Sequence, residues 1–194
     1  MEWKLLVWWN MMRNIILIAL EQEAPKMAQW DNVFFTGVGK VNAAITTGKL
    51  IERYTPETIF NFGTVGGVSV SNGIHEIKNF VQRDMQCCEM GFEIGQTPFE
   101  EEKVISFGDS IDDMCCSTGD NFVSDTSNLD LITDVVDMES YAIAKACKQS
   151  NVNFRCFKYV SDQADENAST EWTKTVANGE QYYINIYQQI TGGF

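Results

Sequence analysis

Short apolar runs alternate with helical patterns along most of this chain, and this alternation limits the folds it can form. Residues 15–20, 32–37 and 58–63 are each predicted to be a strand, the first fully buried. Residues 40–54 are predicted to form a helix that Pro56 ends, with four apolar residues near one face: Val41, Ala44, Ile45 and Ile51. Strands that alternate with helices are typical of a mostly parallel sheet flanked by helices. The pattern therefore predicts an α/β fold.

The rest of the chain continues this alternation within a length that suits one domain. Single cores form up to roughly 250 residues, so 194 residues favour one domain over two. We assign residues 15–194 to it. The remaining predicted elements are a glycine-rich turn at 63–67, a strand at 75–85, a long loop at 91–102, strands at 104–110 and 113–119, a helix at 137–150, a strand at 153–162 and a C-terminal helix at 169–191.

Residues 1–14 are interpreted as an N-terminal extension of doubtful role. Their apolar run, Leu5 to Trp9, is shorter than a signal-peptide core and far shorter than a membrane span. An extra packed segment or an edge strand is an equally good interpretation. We therefore expect no targeting signal and no membrane partner from this segment.

Charge and cysteine spacing narrow the classes of partner. The 14 basic residues stand against 27 acidic ones, and the resulting charge of −13 repels a phosphate backbone, so no nucleic-acid partner is expected. The six cysteines lack CxxC spacing and His75 is the single histidine, so a zinc site is poorly supplied. We expect reduced thiols in a cytoplasmic protein.

Two glycine-containing segments are weak signals for phosphate binding. Residues 36–41, TGVGKV, lack the GxxxxGK[ST] spacing of a phosphate loop, and Asn42 stands where a dinucleotide fingerprint needs a third glycine. A tight strand-to-helix junction is the simpler interpretation. The glycines of 63–67 would let backbone amides approach an anion or a sugar hydroxyl, but the same pattern fits a plain turn.

Carboxylates gather where the predicted strands end. Glu23 follows the first strand, Asp162 ends the last, and Asp137 and Glu139 stand at a helix start. Ligands of open parallel sheets bind at that edge, so the placement is the first indication of a functional site. Helix capping explains these acids equally well when each is taken alone, because a helix dipole favours acids at its N-terminus.

Seven short segments occur in an order that is typical of one known family. They are LEQE (20–23), TGVGKVNAA (36–44), NFGTVGG (61–67), RDMQCCEMGFEIGQTP (83–98), TGDNFV (118–123), VDMESYAIA (136–144) and VSDQAD (160–165). On these segments the chain, from about residue 15 to its end, resembles the 5'-methylthioadenosine/S-adenosylhomocysteine nucleosidases of the purine nucleoside phosphorylase superfamily. The resemblance implies a nucleoside phosphorylase-like α/β fold, a three-layer sandwich with a central mixed, mostly parallel sheet. It also implies hydrolysis of the N-glycosidic bond of a 5'-modified adenosine, without metal or cofactor.

The resemblance also implies roles for individual residues. Glu23 matches the carboxylate that activates the attacking water, Asp162 the acid that protonates purine N7, and Glu139 the acid that binds the ribose hydroxyls. Met138 would pack beneath the sugar, and Phe122 would stack on the base. The other residues implied in substrate binding are Thr64, Val65, Gly66, Val123, Val136, Asp137, Ser161 and Trp172.

A homodimer is implied as well. Cys87, Met90 and Phe92 match a loop, here within residues 87–98, that a partner subunit inserts against the 5'-alkylthio group. Met90 replaces a frequent aromatic residue of that loop, and the stretch from Pro98 to Gly119 is shorter than in typical members.

The implied roles agree with the chemistry of the bond. Cleavage of a ribosyl–adenine bond builds positive charge on the sugar and negative charge on the base, which favours a carboxylate near the ribose and an acid near N7. A free aspartic acid titrates near ~3.9, so burial or the purine must raise the pKa of Asp162 if it is to donate a proton at neutral pH.

Two departures from the family pattern keep other functions open. Asp137 stands where bacterial members usually have glutamate, and Lys158 stands where arginine is common; lysine keeps the charge but loses the bidentate fork. A phosphorylase would use phosphate instead of water, and Lys158 leaves that alternative open. A second alternative is a non-catalytic protein that binds nucleosides.

Overall fold

One mixed sheet, with helices on both faces, organises residues 12–129 and 133–192, which the computed structural model describes. Residues 1–11, most of the predicted N-terminal extension, lie outside this description. In the described part the strands are β1 (Asn14–Ile18), β2 (Val33–Phe35), β3 (Thr58–Gly67), β4 (Ile74–Ile77), β5 (Asn79–Gln82), β6 (Ile105–Ser106), β7 (Cys115–Thr118), β8 (Val135–Asp137) and β9 (Asn153–Asp162). The helices are α1 (Lys40–Tyr54), α2 (Ser140–Gln149), α3 (Ala168–Thr175) and α4 (Glu180–Thr191). None of these helices is long and apolar enough to span a lipid bilayer.

The sheet has a parallel centre with antiparallel additions. β1 lies between β2 and β3, and β9 pairs with the other edge of β3, all in parallel. β5, β7 and β8 run side by side, also in parallel. β8 joins the two parts by pairing antiparallel with the end of β3, while β4 and β6 add antiparallel to β9 and β5. The predicted central mixed, mostly parallel sheet is therefore confirmed.

Alternate residues of β1 show why the fold has three layers, with helices on both faces of the sheet. Ile15 and Leu17 pack into the cluster that contains buried residues of α1 and α2, whereas Ile16 and Ile18 pack with Tyr183 of α4. Successive side chains of a strand point to opposite faces, so an unbroken apolar run is stable where helices cover both faces. The three-layer sandwich is the consequence.

Helix α1 has the predicted bounds but buries a different face. Its buried residues are Ala43, Thr47 and Leu50, whereas Val41 and Ile45 of the predicted apolar face are exposed. The spacing of 43, 47 and 50 follows one face of a helix as well as the predicted set does. Thr47 can be buried because its hydroxyl donates to the carbonyl of Ala43 at 2.7 Å.

The glycines at 63–67 continue strand β3 and do not form the predicted turn. Gly66 and Gly67 pair with Val136 and Val135 of β8. A methyl group on Gly66 would lie 3.0 Å from Asp162 Oδ1 and 3.0 Å from Val136. Glycine is therefore needed here for close packing of neighbouring strands.

The predicted strands at 15–20, 32–37, 104–110 and 113–119 are shorter or shifted in the structure. Three other predicted elements differ for identifiable reasons. The strand at 75–85 is divided into β4 and β5, because β4 pairs with β9 whereas β5 pairs with β7. The helix at 137–150 starts three residues later, since 135–137 form β8. The C-terminal helix is two helices. Glu180 anchors the start of the second by accepting hydrogen bonds from the backbone amides of Lys26 and Met27.

Candidate active site

A cavity of about 210 Å³ opens where the ends of β1, β3 and β9 meet β8. Every predicted site residue outside the loop 87–98 lines it: Glu23, Thr64, Val65, Gly66, Phe122, Val123, Val136, Asp137, Met138, Glu139, Ser161, Asp162 and Trp172. These residues come from segments far apart in the chain. They meet at the edge of the sheet where the carboxylates in the sequence predicted a functional site.

Glu23 is held at the floor of the cavity by three donors. It ends a short 3-10 turn, Glu21–Glu23, directly after β1, and is 3% exposed. Its Oε2 accepts from the backbone amide of Leu20 at 3.0 Å, and Oε1 accepts from the amide and the hydroxyl of Thr64, both at 2.9 Å. The indole of Trp172 donates to that same hydroxyl at 3.0 Å. This chain of contacts fixes the direction of the carboxylate.

Asp137 and Lys158 form a buried ion pair beside the cavity. Lys158 Nζ lies 3.1 Å from Asp137 Oδ2, and the lysine is 2% exposed. Burial alone would raise the pKa of Asp137, but the ammonium group and hydrogen bonds from Ser140 and Thr118 outweigh it and hold the pKa below its usual value. Burial would likewise lower the pKa of Lys158, yet the Asp137 carboxylate raises it. Both groups therefore stay charged.

Glu139 differs from its neighbour Asp137 because, among the described residues, it forms no ion pair of its own. Its Oε1 accepts a hydrogen bond from the backbone amide of Gly39 at 2.8 Å. Burial raises the pKa of Glu139 to about 7, and the negative charge of Asp137 adds to the effect, while Lys158 and the Gly39 amide oppose it. At neutral pH this carboxyl is divided between its two protonation states.

Asp162 is the second carboxyl with a raised pKa. It ends β9, and burial raises its pKa against the hydrogen bonds from the Ala164 amide, at 3.0 Å, and the Ser161 hydroxyl, at 2.8 Å. Ser161 Oγ also lies 3.2 Å from the carbonyl oxygen of Val65. Burial thus moves Asp162 in the direction that a proton donor at neutral pH requires.

The wall next to Asp162 is formed by the loop that follows β7. Phe122 is 49% exposed at the cavity, whereas Val123 is buried and packs with Val136 and Ala164. Apolar and aromatic side chains of this kind suit a planar base.

Five lining residues were not predicted: Ala19, Leu20, Val38, Arg83 and Asn121. All but Ala19 lie within the short segments that carry the family resemblance. Arg83 is different, because it is a buried cation just after the apolar residues Phe80 and Val81 of β5. A charged residue that directly follows a buried strand was the signal that could have indicated it.

The loop predicted to meet a partner subunit lies outside the cavity. Cys87, Met90 and Phe92 do not line it in this single chain. Met90 is 62% exposed, and Phe92 packs its ring against Phe99 at 5.3 Å. The role of this loop at a partner's site therefore stays a prediction.

Within the described residues no three side chains of histidine, cysteine, aspartate or glutamate are placed to hold a metal ion. The cavity provides acid–base chemistry: one ion-paired carboxylate, one oriented carboxylate and two carboxyls with raised pKa values. Lys158, which left phosphate binding open, already neutralises Asp137 in the interior.

The chain matches a known family model. The model described as the phosphorylase superfamily matches residues 32–87 and 108–186. A 5'-methylthioadenosine/S-adenosylhomocysteine nucleosidase of Anoxybacillus flavithermus is 30% identical over 177 residues, which cover 79% of this chain and 76% of that protein.

Solved structures share the fold at lower identity. The MTA/SAH nucleosidase of Streptococcus pneumoniae, in complex with 8-aminoadenine, has a TM-score of 0.78 at 17% identity and covers 91% of this chain and 97% of that one. Futalosine hydrolase of Helicobacter pylori has a TM-score of 0.79 at 18% identity and covers 87% of this chain and 92% of that one. These likenesses confirm the nucleoside phosphorylase-like architecture.

Proposed function

Because the chain belongs to the phosphorylase superfamily, and within it to the 5'-methylthioadenosine/S-adenosylhomocysteine nucleosidases, we propose that it releases adenine from 5'-modified adenosines by hydrolysis. As a member of this family it is an N-ribosyl hydrolase. Its proposed substrates are methylthioadenosine, S-adenosylhomocysteine or a close relative of these.

In the proposed reaction three carboxyl groups have separate roles. Asp162 donates its proton to N7 of the purine while the bond between N9 and C1' breaks and its electron pair passes to the base. Glu23 takes a proton from the water that adds to C1'. Glu139 binds the ribose hydroxyls, with Met138 beneath the sugar. The products are adenine and a sugar with a hydroxyl group on C1'.

The single observation that carries this proposal is the difference in environment among carboxyls that share one cavity. Hydrogen bonds to both oxygens of Glu23 fix the direction of that side chain. Lys158 and neighbouring hydrogen bonds hold the pKa of Asp137 below its usual value, whereas burial raises the pKa of Asp162 and of Glu139. Groups whose environments move their pKa values apart are typical of sites that need an acid and a base together. The aromatic side chains of Phe122 and Trp172, which both line the cavity, support a planar leaving group.

Phosphorolysis is less well supported. The phosphate would need a free cation near C1', and Lys158 is buried and paired with Asp137. Incubation of the protein with methylthioadenosine, with and without phosphate, separates the two reactions. We expect methylthioribose in both cases, and its 1-phosphate in the presence of phosphate would contradict hydrolysis.

Replacement of Asp162 by asparagine tests the acid. The asparagine amide has no proton of suitable acidity to give, so we expect adenine release to fall by at least ~100-fold, in line with the loss of general acid catalysis. Asp31→Asn is the matched control, because Asp31 is an exposed carboxyl that lies outside the cavity. Full activity of Asp162→Asn would refute the mechanism. Tight binding of purine nucleosides by the wild type without turnover would instead favour a binding protein.

We also propose that the enzyme is a cytoplasmic homodimer in which the loop 87–98 completes the neighbour's site. The free thiols of the six cysteines support a reducing compartment. The exposed apolar residues Val41, Ile45 and Met90 support a second protein surface against this chain. Light scattering of the purified protein tests the dimer, and a monomer at the concentrations used for the assay would contradict it.

A further inference from the structure

Arg83 donates hydrogen bonds to backbone carbonyls of β7, of β8 and of the loop that follows β7. Nη1 donates to the carbonyl of Ser117 at 2.6 Å and to that of Asp137 at 2.8 Å, so it joins β7 to β8. Nη2 donates to the carbonyl of Asn121 at 2.6 Å and lies 3.3 Å from that of Gly119. The residue is 8% exposed and lines the cavity.

Nη2 reaches the segment that carries the aromatic wall. Asn121 lies immediately before Phe122 and Val123, and all three line the cavity. The neighbouring Asp84 holds the same segment from its amide side, since Asp84 Oδ2 accepts from the backbone amide of Asp120 at 2.9 Å. The path of residues 119–123 is therefore set by two adjacent side chains that follow β5.

The side chain of Arg83 packs closely against the backbone of Gly119. A methyl group on Gly119 would lie 2.9 Å from Arg83 Cγ and Cζ, too close for a carbon–carbon contact. The Nε atom of Arg83 is buried and has no hydrogen-bond partner in the described residues. Burying a guanidinium with one donor unsatisfied is costly, which indicates that the carbonyl contacts have a purpose beyond filling space.

We propose that Arg83 is a positioning residue for the base: it fixes residues 119–123 so that Phe122 and the backbone of Val123 can bind the purine ring. This inference rests on the proposed function, which assigns that segment to the base. Its guanidinium bonds the loop, and among the described residues it forms no ion pair with a carboxyl of the cavity. Its loss should therefore weaken binding of the base more than it slows the chemical step.

Arginine suits this position better than lysine does. The planar guanidinium presents donors on separate nitrogens, so it can reach carbonyls on two sides at once. A lysine ammonium offers its donors from one point. Arg83→Lys keeps the charge but must leave some of these carbonyls unpaired, which separates the effect of geometry from that of charge.

The test compares affinity for free adenine with the kinetics of nucleoside cleavage. For Arg83→Lys we expect the Kd of adenine, measured by calorimetry, to rise about tenfold or more, with a similar rise in KM for methylthioadenosine and kcat within about threefold of wild type. Arg155→Lys is the matched control, because Arg155 bonds Glu76 and lines no part of this cavity. It should leave the Kd of adenine unchanged.

Two results would overturn the inference: an unchanged Kd of adenine in Arg83→Lys, or a fall in kcat much larger than the rise in that Kd. If Arg83→Lys does not fold, Gly119→Ala tests the same contact from the loop side and should raise the Kd in the same way. Failure of the proposed function is seen separately, as a wild-type protein that cleaves no nucleoside, and the adenine titrations still decide the role of Arg83.

Discussion

Replacing Glu139 by glutamine should remove a loss of stability that the wild type suffers as the pH rises. Burial raises the pKa of Glu139 to about 7, with Asp137 as the next cause, from an ordinary value of 4.5. At about 1.36 kcal/mol per pH unit this difference corresponds to about 3 kcal/mol of folding free energy. Because the side chain is almost fully buried, solvent screening reduces this value little.

The direction follows from proton binding in the two states. Between the ordinary pKa and the raised one, the folded protein holds the Glu139 proton while the unfolded chain has lost it. Stability contributed by this group is therefore full below pH 4.5, falls as the pH rises, and is lost above pH 7. Glutamine stays neutral at every pH and can still accept the hydrogen bond from the Gly39 amide.

Urea denaturation of both proteins at several pH values from about 5 to about 8 measures the effect. The free energy of unfolding of Glu139→Gln, relative to wild type, should increase by most of the about 3 kcal/mol across this range. Asp125→Asn is the control. Hydrogen bonds from Ser127 lower the pKa of Asp125, so this group is ionised in both the folded and the unfolded state above about pH 5. The difference in free energy of unfolding between Asp125→Asn and wild type should therefore not change across the range. A constant gap between Glu139→Gln and wild type would refute the reasoning.

Three further predictions concern the surroundings of the carboxyls. Lys158→Met should lower the free energy of unfolding at about pH 7 by about 3–5 kcal/mol, because a buried carboxylate loses its cation; a loss below about 1 kcal/mol in urea denaturation would contradict the ion pair. Thr64→Val keeps the side-chain shape but removes a hydroxyl from Glu23, so adenine release should slow by roughly tenfold, and unchanged release would argue against this contact. Tyr183→Phe removes the hydroxyl that donates to the buried carbonyl of Gly63 at 2.9 Å and should cost about 1–3 kcal/mol, measured by thermal unfolding; equal midpoints would exclude that contribution.

Local sequence signals predicted the bounds of two long elements and missed some of the short ones. Helix α1 and strand β9 have the predicted bounds, because each is long enough to show a period or a sustained apolar run. Strand β8 has three residues, too few for any period, and its acids looked like the start of the helix that follows. The buried face of α1 was wrong for a related reason, since α1 offers two candidate faces and only its packing against the sheet and α2 selects between them.

Some residues of the candidate site could be predicted from the sequence and others could not. Glu23, Glu139 and Asp162 could be predicted because each lies within a short motif whose order is typical of the family. Arg83 could not be assigned a role, since its partners are backbone carbonyls, which leave no pattern of side chains in the sequence. The pairing of Lys158 with Asp137 also depends on contact between β9 and the end of β8, which sequence spacing does not reveal.

The protonation states in the cavity follow from where the cations are placed. Asp137 has Lys158 at 3.1 Å and its pKa is lowered, whereas Glu139, two residues further along the chain, lies in the same interior and has its pKa raised. Burial acts on both, so the difference must come from the cation that Asp137 contacts closely and from the hydrogen bonds beside it. Asp162 accepts hydrogen bonds but forms no ion pair with any described residue, and its pKa is raised. A single buried lysine thus separates the carboxyl that stays ionised from the two that can carry a proton. Because the charge of Lys158 lowers the pKa of both Asp137 and Glu139, its removal should raise both, and the site would then hold protons where the reaction needs negative charge near the ribose.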